Sequence, residues 1–131
     1  MMKIKSSKMI HPQEIEVWYV IPAIRRELAK EMKNRGMGQM EISEILGVTE
    51  AAVSQYLSNK RAAEIKFDKG LKHEIQEAVD NIMNESEEGH RTAVMIEIQK
   101  IMNIPKLRDK ICKMHKECKG VQENCKLCRE K

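Results

Sequence analysis

Apolar residues recur along most of the chain at three- and four-residue spacing, and no stretch alternates apolar with polar long enough to make a strand. The pattern predicts an all-α fold. His11 to Val20 is expected to form one helix with Ile15, Trp18 and Tyr19 on one face. Pro22 lacks an N–H and restricts the residue before it, so it interrupts that helix and opens the next. Ile24, Leu28 and Met32 follow at fourfold spacing with Ala29 beside them, and the stripe stops near Gly36, a natural C-terminal cap. Two short stretches come next, Gln39 to Leu46 and Thr49 to Ser58. Asp68 is placed to cap a further helix whose stripe is Leu71, Ile75, Ala78, Val79 and Ile82. Its partner runs from Arg91 to Met102 through Val94, Ile98 and Ile101, beyond a polar loop from Asn84 to Gly89, and Pro105 ends it. From Lys106 onward the chain is rich in Lys and Cys and poor in aliphatics after Ile111. Such a tail is expected to be disordered, or organised by whatever its cysteines bind.

The chain has 131 residues, room for one modest core or a small domain with an appendage. That is too short for a doubly wound nucleotide-binding sheet with a substrate domain. Trp18, Tyr19, Tyr56 and Phe67 are few aromatics for a β-sandwich. A content of 34% charged and 41% apolar residues suits amphipathic helices around an aliphatic core. The longest apolar run, Val17 to Ile24, is far shorter than the roughly 20 residues a bilayer span needs. No apolar segment follows the lysines of Met1 to Ser7, so no signal peptide is read there and the expected location is cytoplasmic. In a reducing compartment, cysteines point to metal or cluster ligands rather than to disulfides. The net charge of +4 conceals a division: residues 1–63 carry +3, residues 64–99 carry −5 and residues 100–131 carry +6. Both ends can face phosphate and the middle cannot readily do so, although solvated helix faces account for the same charges.

The most informative stretch is QMEISEILGVTEAAVSQYL, Gln39 to Leu57. Two short helices crossing at a tight turn need a residue that tolerates positive φ and a cap for the second helix. Gly47 supplies the first at no steric cost. Thr49 supplies the second, its hydroxyl within reach of the N–H of Ala51 or Ala52. Ile42, Ile45 and Leu46 can then meet Val48, Val53, Tyr56 and Leu57, with the small Ser43 where the helices come closest. Pairs of this kind also occur as plain packing units.

The segment resembles the helix-turn-helix of Cro/repressor (XRE-type) regulators. The likeness lies in the opening Gln39, in Ser43 where that family more often has Ala, in the turn Gly47-Val48-Thr49, and in the run Val53-Ser54-Gln55-Tyr56-Leu57. With the preceding VWYVIPAIRRELAKEM it looks like a group of archaeal regulators, over roughly residues 12–62. The resemblance implies a small helical bundle that binds double-stranded DNA, at a palindromic operator, as a homodimer. The second helix of the motif would enter the major groove and offer Thr49, Glu50, Ala51, Ser54, Gln55 and Ser58. Gln55 suits adenine N6 and N7, Ser54 a base or a phosphate, and Ala51 a thymine methyl, while Glu50 would accept from cytosine N4 or repel phosphate. Gln39 at a helix start suits a backbone phosphate, and Asn59, Lys60 and Arg61 would clamp others.

Cys112, Cys118, Cys125 and Cys128 lie in ICKMHKECKGVQENCKLC, spaced C-x5-C-x6-C-x2-C. An unbroken helix would separate Cys112 and Cys118 by roughly 9 Å along its axis, too far for a disulfide. The chain must bend, near Lys119-Gly120, for all four sulfurs to converge. Two centres suit them. Zinc commonly takes paired C-x2-C knuckles; Cys125 with Cys128 is one, and Cys112 would pair with Cys118 or His115. An iron–sulfur cluster, of the 4Fe–4S type, accepts less regular spacing. The C-x5-C-x6-C run is similar to the ligand run of a family of cluster-sensing regulators built on a different DNA-binding fold. The cluster is the favoured expectation, held by the four cysteines with His115 outside the ligand set, and Zn2+ is the alternative.

Three segments follow: 1–63 as the helix-turn-helix domain, 64–104 as a connecting helical hairpin offering a dimer interface, and 105–131 as the cluster- or metal-binding segment. The expected function is a DNA-binding transcription regulator whose cysteine segment senses oxygen, redox state or iron supply. The alternatives are the same regulator with a structural zinc site and, in a different class, a thiol redox enzyme using Cys125 and Cys128. An enzyme is disfavoured: there is no Gly-rich phosphate loop, nucleophile elbow or paired-carboxylate pocket, and no thioredoxin-like βαβ unit around the knuckle.

Overall fold

The computed structural model describes residues 11–60 and 65–116. In chain order these form α1 (Pro12–Ile15), a π-turn (Glu16–Val20), α2 (Ile21–Asn34), α3 (Gln39–Leu46), α4 (Glu50–Leu57), α5 (Lys69–Met83), a 3-10 turn (Glu87–Gly89), α6 (His90–Met102) and α7 (Pro105–Lys116). The described residues contain no strand, in keeping with the helical periodicity.

The first three elements make one winding that changes pitch ahead of Pro22. In a regular helix the Pro22 ring would press on the Trp18 carbonyl, four residues back, and would offer it no N–H. The π-turn absorbs that conflict, with the Ile21 N–H bonding to the Glu16 carbonyl, one residue further back than in an α-helix. The wider turn rotates the faces. Ile15 and Val20 are both fully buried, whereas Trp18 is 53% exposed. The expected face of Ile15, Trp18 and Tyr19 is thereby corrected: Trp18 leaves it, and Tyr19 only leans on the core.

Helix α2 is the element the others share, since α3, α4, α5 and α6 all pack on it. Ile24, Leu28, Ala29 and Met32 are fully buried, as their spacing predicts. Gly36, at φ +91°, closes the helix: its N–H reaches the Lys33 carbonyl and the Met37 N–H reaches that of Met32. Asp68 caps α5 by accepting the Leu71 N–H at 2.9 Å. Leu71, Ile75, Ala78, Val79 and Ile82 then face inward against α2 and α6, and α6 returns Val94, Ile98, Ile101 and Met102. The hairpin of α5 and α6 therefore shares one continuous core with α3 and α4. Arg91 of α6 also donates to the Glu44 carbonyl of α3 at 3.1 Å.

Beyond Met102 the chain departs from its sequence pattern in two ways. Pro105 does more than end α6; it opens α7 at a position where a missing N–H breaks no helical bond. The segment from Lys106 is helical as far as Lys116, because it borrows a core it cannot build alone. Leu107 and Ile111 are fully buried, Cys112 and Met114 nearly so, and α7 packs on α1 and α6. Arg108 of α7 forms a buried ion pair with Glu16 of the π-turn. No helix among the described residues is long and apolar enough to cross a membrane.

Two predictions come from these contacts. Removing one partner of a buried pair strands the other charge, typically at about 3 kcal/mol or more. Glu16→Ala is expected to lower the unfolding free energy by about that much in urea titrations, and a loss below about 1 kcal/mol would show that the pair does not hold α7 in place. The Asp68 carboxyl is held below the usual carboxylate range, first by the hydrogen bond from the Leu71 amide and further by Lys106 and Lys110. A depressed folded pKa contributes stability above the unfolded value of about 3.9 and loses it as pH falls through the folded value. Asp68→Asn keeps a capping oxygen without a titrating charge, so it is expected to flatten the acid side of a Tm-against-pH profile.

Candidate nucleic-acid interface

The turn between α3 and α4 is built from local chemistry. Gly47 sits at φ +70°, and the N–H groups of Gly47 and Val48 both reach the Ser43 carbonyl, at 2.9 and 3.1 Å. Thr49 is extended and its Oγ1 accepts the Ala52 N–H at 3.0 Å, the second of the two amides within its predicted reach. Ser43 is buried at the crossing, and its hydroxyl is satisfied by donating to the Met40 carbonyl at 2.7 Å. Ile42, Ile45 and Leu46 lie in one core with Ala52, Val53 and Tyr56, and Val48 and Leu57 pack at its edge.

Burying that side of α4 turns the other outward. Thr49, Glu50, Ala51, Ser54, Ser58, Asn59 and Lys60 are exposed, and Gln55 is half-buried. Gln39 is exposed at the first position of α3. The fold thus brings the predicted contact residues of 49–60 to one face, with Gln39 on the partner helix. Arg61 lies outside the described residues.

The end of α4 gives Asn59 a role that the sequence pattern does not show. Asn59 adopts φ +60°, and the Lys60 N–H reaches back to the Gln55 carbonyl at 2.8 Å. Asn59 closes the helix in a conformation that usually selects glycine, and Lys30 of α2 donates to its amide oxygen. The tolerance of Asn for that conformation was the available signal. Lys60 is consequently carried on a fixed turn.

The electrostatics are uneven. From Gln39 to Ser58 the motif contains Glu41, Glu44 and Glu50 and no Lys or Arg. All three glutamates are exposed. Positive charge beside α4 therefore has to come from flanking elements.

Of the four cysteines, Cys112 alone lies among the described residues, buried on α7, and His115 is buried on the same helix. Cys118, Cys125 and Cys128 lie outside them, so the expected four-thiol centre does too. Among the described residues, no group of three or more His, Cys, Asp or Glu side chains is placed to hold a metal ion. No family model matches the chain, and no curated protein or solved structure matches it.

The cap and the turn make a stability prediction. Thr49→Ala is expected to cost about 1 kcal/mol in thermal unfolding, and Thr49→Ser much less. Gly47→Ala places a Cβ at positive φ and should cost about as much as the lost cap or more. A Gly47→Ala protein as stable as the parent would mean that the turn does not require this backbone.

Proposed function

We propose that this chain is a transcription regulator that reads the DNA major groove with α4, as a homodimer on a palindromic operator. The observation that carries the reading is the two-sidedness of α4. One side is fixed in the core through Ala52, Val53 and Tyr56, and the other presents small and short polar side chains, with Glu50 at its start, to solvent. A helix is roughly 10–12 Å across, close to the width of the major groove, and the small Ala51 and Ser54 let its backbone approach base edges. Gln55 is the adenine reader in this arrangement, with Ser54 and Ala51 beside it. Gln39 and Lys60 reach phosphates on either side, fixing register without reading sequence. Two such helices must match half-sites about 34 Å apart, which requires a dimer. Met95 and Ile96 on α6 are 64% and 50% exposed, an apolar pair on which two copies could close.

The donor set of Cys112, Cys118, Cys125 and Cys128 suits a 4Fe–4S cluster, the favoured reading of the sensor; bound there, it would supply a group sensitive to oxygen and redox state. Zinc held by the same thiols would serve only as a staple. Anaerobically purified protein is expected to be brown and to bleach in air. A colourless, zinc-loaded protein would remove the sensor.

Selection from a random duplex library tests the DNA reading. Enrichment of a palindrome is expected. Gln55→Ala should relax preference at one position per half-site, and Lys60→Ala should weaken binding to all sequences alike. Should Gln55→Ala alter neither affinity nor preference, α4 is not the reading helix.

A further inference from the structure

We propose that a groove formed by α2, residues 65–67 and the first turn of α5 is a phosphate-binding site. In the DNA complex proposed above, on which this assignment of the ligand's source rests, it takes a backbone phosphodiester next to the bases that α4 reads. The groove encloses about 450 Å³ and begins where α4 ends, since Asn59 both closes that helix and forms part of the groove wall. Two of its lining charges cancel. Arg26 and Glu27 are buried and paired at 2.8 Å, with the Arg26 guanidinium 5.9 Å from the centre of the Phe67 ring. The remaining charge is that of Lys30, Lys66 and Lys72. Lys30 donates to the Asn59 amide, a neutral partner that does not offset its charge. Among the described residues none of these three lysines forms an ion pair.

Neighbouring ammonium groups repel, and an anion between them relieves the repulsion. The groove also answers the charge deficit of the motif. Glu41, Glu44 and Glu50 repel a phosphate backbone, and no Lys or Arg between Gln39 and Ser58 offsets them. A duplex carries a phosphate charge about every 1.7 Å of axis, so a helix inserted beside it needs cations on its flank. Lys66 is also held in place, because Lys110 of α7 donates to its backbone carbonyl at 2.6 Å.

The test uses the full chain, a Lys66→Gln/Lys72→Gln variant and a Lys66→Arg/Lys72→Arg variant. Both lysines are exposed, so the fold is retained. Affinity for a mixed-sequence duplex is read by fluorescence anisotropy between about 50 and 200 mM salt. Amide shifts of Lys66, Phe67 and Lys72 are followed by NMR during titration with inorganic phosphate. A backbone contact predicts that the Gln variant lowers the slope of log K against log salt by about 0.9 for each lysine that meets a phosphate. The Arg variant should keep the parent slope, and base preference should not change. Saturable shifts with inorganic phosphate, lost in the Gln variant while the DNA slope is unchanged, would assign the groove to a free phosphorylated ligand and overturn the backbone contact. An unchanged slope with no saturable shift overturns the site altogether. If the parent protein binds no duplex, the DNA reading and the backbone contact fall together, and the phosphate titration alone decides whether the groove holds an anion.

Discussion

The missing N–H of Pro22 decides where α2 begins and which of its residues turn inward. A regular helix through that point would set the Pro22 ring against the Trp18 carbonyl, and the π-turn over 16–20 removes the clash by widening one loop of the winding. From there Ile24, Leu28 and Met32 form the surface on which α3, α4, α5 and α6 are assembled. The exposed face of α4 is a consequence of that assembly. Val53 and Tyr56 are drawn into the shared core, and the residues on the opposite side of a single helical turn have nowhere to go but water. Gly47 and Thr49 set the angle at which this happens, one by bending the backbone and the other by satisfying the amide that the bend exposes.

Charge is distributed against the simplest expectation for a DNA-binding motif. The helices that would face the duplex carry glutamates, and the lysines lie beside them on α2, on residues 65–67 and on α5. In the proposed complex this division would separate two tasks, since phosphate contacts supply affinity and register while base contacts supply choice. An acidic motif on a basic flank would there penalise a duplex whose bases do not repay close approach by α4. The flank would attract every sequence equally, and discrimination would come from the neutral polar residues of α4.

Features set by a few adjacent residues were legible in the sequence. The bend at Gly47, the caps at Thr49 and Asp68, and the stripe from Leu71 to Ile82 depend on near neighbours and on one period. Features set by distant partners were not. A 3.6-residue period puts Trp18 on the wrong face because that period does not hold across a π-turn. Residues 106–116 read as a tail because Leu107, Ile111 and Met114 are too few to make a core, and nothing local shows that α1 and α6 would supply one. The lysine groove was invisible for the same reason: Lys30, Lys66 and Lys72 are scattered in the chain and meet only once α2 and α5 have packed. Asn59 was legible as a polar residue after a helix, and its second role as the helix's closing residue emerges only from φ +60° and the bond from Lys30.

Helix α7 ties the cysteine-bearing end of the chain to the element from which the fold is organised. Cys112 lies on the same helix as Arg108, whose partner Glu16 belongs to the π-turn feeding α2. A centre held by the four thiols, as proposed, would therefore act on the scaffold behind α4 rather than on α4 itself, through a short series of packed elements. Such a series transmits a signal only if one of its members has two discrete arrangements. A buried ion pair favours that behaviour. Half-separated, Glu16 and Arg108 would lose their attraction without regaining water, so intermediate positions are the most costly. In the structure α7 is docked with the pair made, and its release would hydrate both charges while exposing Leu107 and Ile111.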